Sequence, residues 1–346
     1  MDADAKTSPT VDGRQWPTIL ARYRDPDPGR SMAELAVTGV SLVMLWATMW
    51  ATLSLGPWLC LLLSIPTAGF LVRLFMIQHD CSHGSFSRRR AVNDWVGRTI
   101  GVVTLTPYDV WKRTHAIHHS GVGNLALRGI GDLKTMTVRE YLRLTAWRRL
   151  LYRLYRHPAV LFGLGPAYMF LLQNRLPIGL MREGWRPWLS AMATNLAIGA
   201  SATCLIRIVG AGPFLWVFLP TILLAASAGV WLFYVQHQFE HTYWEESPCW
   251  VHRDASLHGS SHYVLPRVLR WFTANIGVHH VHHLNSRIPF YRLPEVLRDH
   301  PELGEMGRLT IVDSLGCVRL SLWDEARKRL VSFREMKLNC TTGQSA

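Results

Sequence analysis

Trp58-Leu-Cys-Leu-Leu-Leu-Ser-Ile-Pro-Thr-Ala-Gly-Phe-Leu-Val-Arg-Leu-Phe-Met-Ile77 is a run of twenty residues with one charge, and after Gln78 it passes into His79-Asp-Cys-Ser-His83. Twenty apolar residues in a helix cover about 30 Å, the hydrocarbon thickness of a bilayer. The stretch therefore reads as a membrane span ending in two histidines four residues apart. On a continuing helix, i and i+4 share a face, so both imidazoles point the same way. The single charge, Arg73, lies within two turns of the polar end and reads as snorkelling to the interface.

The same reading extends outward to three further spans. Residues 35–55 are uncharged and mostly apolar, and Gly56-Pro57 is a turn signal before the quoted stretch (58–77). Residues 188–206 and 214–234, the latter containing Pro220, make a second pair joined by a short connection with one charge, Arg207. Residues 159–172 are apolar but short, broken by Gly163, Gly165 and Pro166, and read as interfacial or re-entrant, as do residues 99–107. The expected organisation is a polar segment 1–33, a membrane domain 34–300 and a tail 301–346. In that tail, residues 318–333 set Leu320, Leu322, Trp323, Ala326, Leu330 and Val331 among charges, which reads as an amphipathic helix. The final dozen residues read as disordered. The fold class is an all-α integral membrane protein: four transmembrane helices carrying a helical cap.

Composition agrees. Hydrophobic residues make up 49% of the 346 and charged ones 18%, against about 25% charged in a typical soluble domain, and the mean hydropathy is +0.09. That excludes a disordered chain. The six cysteines form no C-x-x-C pair, so zinc ribbons and thioredoxin-like motifs are excluded. Between His83 and His157 fourteen Lys/Arg face four Asp/Glu, whereas the connections 56–57 and 207–213 carry one Arg between them. By the positive-inside rule both termini and the basic loop are cytoplasmic, most simply in a bacterial inner membrane. No DNA or RNA motif accompanies the net charge of +13, so nucleic acid is not the expected partner.

Eleven of the sixteen histidines fall in four short clusters. His115-Ala-Ile-His118-His119 and His279-His-Val-His282-His283 are two H-x-x-H-H copies, and His237 and His241 follow the fourth span. In a helix each H-x-x-H-H converges on one point or on two adjacent ones, with His280 facing away from 279, 282 and 283. Given this topology every cluster lies just beyond a span end on one membrane face, where no packing demand calls for so many imidazoles. Imidazole suits Zn, Cu, Fe and Ni. Zinc is served by three or four ligands, whereas eight or more with open positions fit two metals of higher coordination. Neither H-E-x-x-H nor the E-x-x-H pairs of carboxylate-bridged di-iron bundles is present. An all-histidine site at a membrane surface points to a di-iron oxygenase acting on a lipid.

The boxes His79–His83, His115–His119 and His279–His283, in this order around four spans, resemble those of the membrane fatty acid desaturases. His79-Asp-Cys-Ser-His-Gly-Ser-Phe86, Trp111-Lys-Arg-Thr-His-Ala-Ile-His-His119 and Phe233-Tyr-Val-Gln-His-Gln-Phe-Glu240 look like the bacterial and plastid-type branch that makes Δ12/ω-6 or related bonds. Ser82, where relatives often carry Gly, and His241, where many carry an acid, depart from the pattern. The resemblance implies O2-dependent removal of two hydrogens from adjacent carbons of a lipid-linked acyl chain, giving a cis double bond. It implies two iron ions, with ligands His79, His83, His115, His118, His119, His279, His282 and His283 and a ninth at the end of the fourth span. Spacing does not separate His237 from His241; depth and the matching motif favour His237, with His241 hydrogen-bonding at the rim.

Asp80 is a candidate acceptor from a ligand imidazole, and Asn275 a candidate to hold a metal-bound water. Lys112, Arg113 and Arg287 are the charges nearest the boxes and candidates for meeting a lipid headgroup or an electron donor. His157-Pro158 lacks the Gly pair of a cytochrome b5 haem motif, so electrons are expected from a separate acidic donor, a ferredoxin or similar with its reductase. The alternatives are a His-box hydroxylase or carotenoid ketolase, which would leave oxygen in the product, and more remotely a metal-handling or transport protein. Transport would place ionisable groups at mid-span, often in repeats.

Overall fold

A computed structural model describes residues 13–341. Four of its helices are long and apolar enough to cross a membrane: α1 (Pro28–Thr52), α2 (Pro57–His83), and, after α3 (Arg90–Val103) and α4 (Tyr108–Gly121), α5 (Trp185–Val209) and α6 (Ala211–His237). Asp27 caps α1 by accepting from the Arg30 N–H at 2.9 Å, with Pro28 in the first turn. Gly84, left-handed at φ +71°, ends α2 by donating to the carbonyls of Asp80 and Cys81. Gly210 at φ +86° turns α5 directly into α6.

Helix α2 is the axis, packed between α1 and α6. In its most apolar window 56% of residues are buried, against 6% in α5, which presents an almost wholly outward surface to lipid. Arg73 does not snorkel. It is 2% exposed, ion-paired with buried Glu34 of α1, donates to the Trp271 carbonyl, and lies 3.9 Å over the Trp271 ring. A guanidinium facing protein is tolerable because its charge and donors are met there; hydropathy could not see Glu34, which is thirty-nine residues away.

Residues 99–107 are the end of α3 and its linker to α4. Gly97 lets the two pack, since a Cβ there would lie 2.2 Å from the Tyr108 ring. Residues 159–172 form a π-helical turn, Val160–Leu164, and a short helix, Gly165–Leu171, with Leu164, Tyr168 and Leu172 exposed. The N-terminal segment is anchored rather than merely polar: Trp16, Leu20 and Tyr23 are buried with Leu257, Val281 and Val296.

The C-terminal expectation of an amphipathic helix is corrected. Leu320–Asp324 and Arg329–Ser332 pair as an antiparallel hairpin, and Met136–Thr137 adds a parallel strand to it. Leu322 buries against Tyr141 and Tyr152 on one face, while Trp323 buries beside Trp244 on the other. The apolar positions fit either period, and the turn decides. Asp324 Oδ1 accepts from the Ala326 and Arg327 N–H groups at 3.1 Å, and Lys328 is left-handed at φ +48°. Of the final dozen residues, those through Thr341 belong to a helix, Phe333–Thr341, and the rest lie outside the described residues.

Candidate metal centre

The last turns of α2 and α6 meet two helices of the cap. α2 brings His79 and His83, α4 brings His115, His118 and His119, α6 ends on His237, and α7 (His279–Leu284) brings His279, His282 and His283. They sort into two groups: His79, His83, His115, His119 and His282 in one, His118, His237, His279 and His283 in the other, with the donor atoms of each group within 4.8 Å of one another. Each H-x-x-H-H divides itself between them. In α4 the i, i+4 pair His115/His119 joins the five-histidine group and His118 crosses to the other; in α7 the pair His279/His283 joins the four-histidine group and His282 crosses back. The stacked rings of His119 and His283, with centroids 4.1 Å apart, form the partition between the groups.

The nitrogens converge. His119 Nε2 lies 3.1 Å from Nε2 of both His115 and His282, and His279 Nε2 lies 3.0 Å from that of His237 and 3.1 Å from that of His283. Donors at right angles, about 2.1 Å from a shared ion, would be about 3.0 Å apart. His83 Nε2 and His118 Nε2 are buried with no protein partner, which a metal would supply. Burial, reinforced by neighbouring imidazoles, holds His115, His119, His279, His282 and His283 well below the ordinary imidazole range. They are neutral at pH 7, with a lone pair to give. The residues fit two metal ions, and five imidazoles exceed the four ligands of an ordinary zinc site.

Other expected residues sit elsewhere. His241 cannot share a helical face with His237, because α6 ends at His237 where Gln238 leaves helical geometry; His241 is exposed and in neither group. Asp80 Oδ2 accepts the Phe290 N–H at 2.9 Å, and Oδ1 stands 3.8 Å from His79 Nδ1, too far for the expected hydrogen bond. Asn275, left-handed at φ +55°, donates to the Phe290 carbonyl at 3.1 Å. Lys112 is paired with Asp94 at 2.7 Å and Arg113 with Glu183, while Arg287 is exposed. His280 turns out of both groups onto the Leu303 carbonyl at 2.8 Å.

Two features escaped the sequence. Asp132 is hydrogen-bonded to His118 Nδ1; the available signal was Gly129-Ile-Gly-Asp132, a glycine-punctuated turn returning the chain toward α4. The other is the lining of a largely apolar cavity of about 400 Å³ running from His79, His115 and His279 between α2 and α6, within the size range of ligand sites. Phe75, Trp111, Ile222 and Phe233 line it, and Ala225 and Gly229 leave it room.

A family model described as fatty acid desaturase matches residues 56–314, about three-quarters of the chain and inclusive of every clustered histidine. The chain is 41% identical over 324 residues to a fatty acid desaturase of Bacillus subtilis, covering 94% of this chain and 92% of that one. It is 28% identical over 247 residues to an sn-1 oleoyl-lipid 12-desaturase of Synechocystis, covering 68% and 67% of the two chains. It is also 28% identical over 258 residues to an sn-1 acyl-lipid omega-3 desaturase (ferredoxin) of that organism, covering 68% and 66%. Two convergent histidine groups at the ends of apolar helices, beside an apolar cavity, are thus what a chain matching these enzymes brings together, and the protein belongs to the fatty acid desaturase family.

Proposed function

We propose that the protein is an acyl-lipid desaturase that introduces a second cis double bond, of Δ12/ω-6 type, into a monounsaturated C16 or C18 chain. The observation that carries this reading is that residues of both histidine groups line one apolar cavity. His79, His83, His115, His119 and His282 would hold one iron ion, and His118, His237, His279 and His283 the other. Bound there, the pair would supply the O2 activation needed to oxidise an unactivated CH2 group. The cavity walls take an acyl chain out of water and set its path, with Phe75, Trp111 and Phe233 confining it near the histidines. Such confinement fixes which carbons meet the centre, which is the positional part of selectivity. The Synechocystis relative named for oleoyl-lipid supports a lipid-linked, already monounsaturated substrate.

Electrons would come from a separate ferredoxin-like protein and its reductase; a relative named for ferredoxin and the basic surface support this donor. Exposed Arg287 is the best-placed of the three candidate cations to meet a donor or a headgroup, since Lys112 and Arg113 are already ion-paired. The basic 83–157 region and both termini would face the cytoplasm, in a bacterial inner membrane. Expression in a host lacking polyunsaturated acids, followed by fatty-acid methyl ester analysis, should yield dienes from monoenes. Monoenes made from saturated chains would reassign it as a first-bond desaturase, and products heavier by one oxygen would make it a hydroxylase.

A further inference from the structure

We infer that Asp132 is a positioning residue that acts through His118 on the four-histidine site alone; the inference rests on the two-metal reading above. Asp132 Oδ1 accepts from His118 Nδ1, which commits the ring's proton to that side and leaves Nε2 as the lone pair. That Nε2 is buried, lacks a protein partner, and belongs to the ring packed 4.7 Å from His237 and 5.1 Å from His283. A carboxylate on the far nitrogen both fixes the tautomer and strengthens the imidazole as a donor.

The loop is built to make this contact. Gly129 and Gly131 take φ of +127° and +78°, and a Cβ on Gly131 would lie 2.7 Å from the Thr114 carbonyl and 3.1 Å from His118 Cβ. Only glycine lets the chain lie this close to α4 and deliver Asp132 to the ring. The downstream side is pinned as well: Lys134 N–H donates to Tyr155 Oη and Met136 N–H to Tyr152 Oη, each at 3.1 Å, and Arg128 holds the Thr135 carbonyl at 2.8 Å.

The two groups are not equivalent in this respect. Among the described residues no other carboxylate is hydrogen-bonded to a grouped histidine: the nearest counterpart, Asp80, stands 3.8 Å from His79, and His237 Nδ1 donates to a neutral carbonyl, that of Gly259, at 3.2 Å. Loss of the Asp132 charge therefore acts on one ion and spares the other.

The test is titration of the metal-stripped, detergent-purified full chain with Co2+, following the visible spectrum and bound metal. Wild type should take two ions. Asp132→Ala should weaken one of them about 10–100-fold, and the spectral component lost should be the one lost in His237→Ala, not in His83→Ala. Asp132→Asn, which keeps an acceptor without the charge, should fall between wild type and Asp132→Ala. Gly131→Ala, which lifts the loop from α4, should reproduce the Asp132→Ala loss. Wild-type affinity for both ions in Asp132→Ala, or equal weakening of both, overturns the proposal. Fewer than two ions in the wild type overturns the two-metal reading itself, and the proposal with it.

Discussion

His280 sits between His279 and His282 in α7 but points its Nε2 at the Leu303 carbonyl, with its ring 5.8 Å from that of His262. Burial lowers it to about 3, so it is a neutral donor in the cap. His280→Ala should keep bound metal and turnover while costing about 0.5–1.5 kcal/mol, because it removes one buried hydrogen bond from the Leu303 carbonyl, which keeps the Met306 N–H at 3.3 Å; thermal unfolding in detergent beside an activity assay checks both. His282→Ala, two residues on, should abolish turnover with the spans intact. Arg73 gives a second contrast at this scale. Removing one partner of the buried pair, as in Glu34→Ala, should destabilise by about 3–5 kcal/mol, since the guanidinium is left buried and uncompensated, while the double change Glu34→Leu with Arg73→Met should be much milder. The unfolding midpoint of the two variants decides it.

Among the elements, α6 is the one whose small residues leave room in the cavity. Ala225, Ala226 and Gly229 line the cavity, and a Cβ at Gly229 meets nothing within 4 Å. Gly229→Phe should therefore fold, keep its metal and lose turnover, because the new ring occupies the space proposed for the acyl chain. Metal content and methyl ester yield measured on one preparation separate blockage from collapse. The C-terminal hairpin should behave in the opposite way. Leu322→Ala should cost about 2–5 kcal/mol as a fully buried leucine without changing metal content. Its apolar residues could be read as a helical stripe because a run this short satisfies both periods; the choice fell to the Asp324–Lys328 turn and to aromatic partners, Tyr141, Tyr152 and Trp244, brought in from other parts of the chain.

For the whole molecule, orientation is open to direct measurement. Cys249 is exposed in the cap, while Cys60, Cys81 and Cys317 are buried. In a Cys204→Ser, Cys340→Ser background, a membrane-impermeant maleimide should label Cys249 in inverted vesicles and not in intact cells if the histidine-bearing face is cytoplasmic. The number of spans and the shared face of each i, i+4 pair, His79/His83, His115/His119 and His279/His283, were legible in the chain, because hydropathy and the 3.6-residue period are local properties. The division of nine histidines into five and four was not, nor was the helix end that separates His237 from His241. Likewise hidden were the Glu34 partner of Arg73, the Asp132 contact and the residues that line the cavity. The Glu34 pair and the cavity depend on which side of a span meets protein and which meets lipid, and lipid tails are as apolar as a protein core, so composition does not distinguish the two faces; the Asp132 contact depends on a glycine loop folding back onto α4. Contacts such as His237 with His279, forty-two residues apart, exist only once the helices have packed.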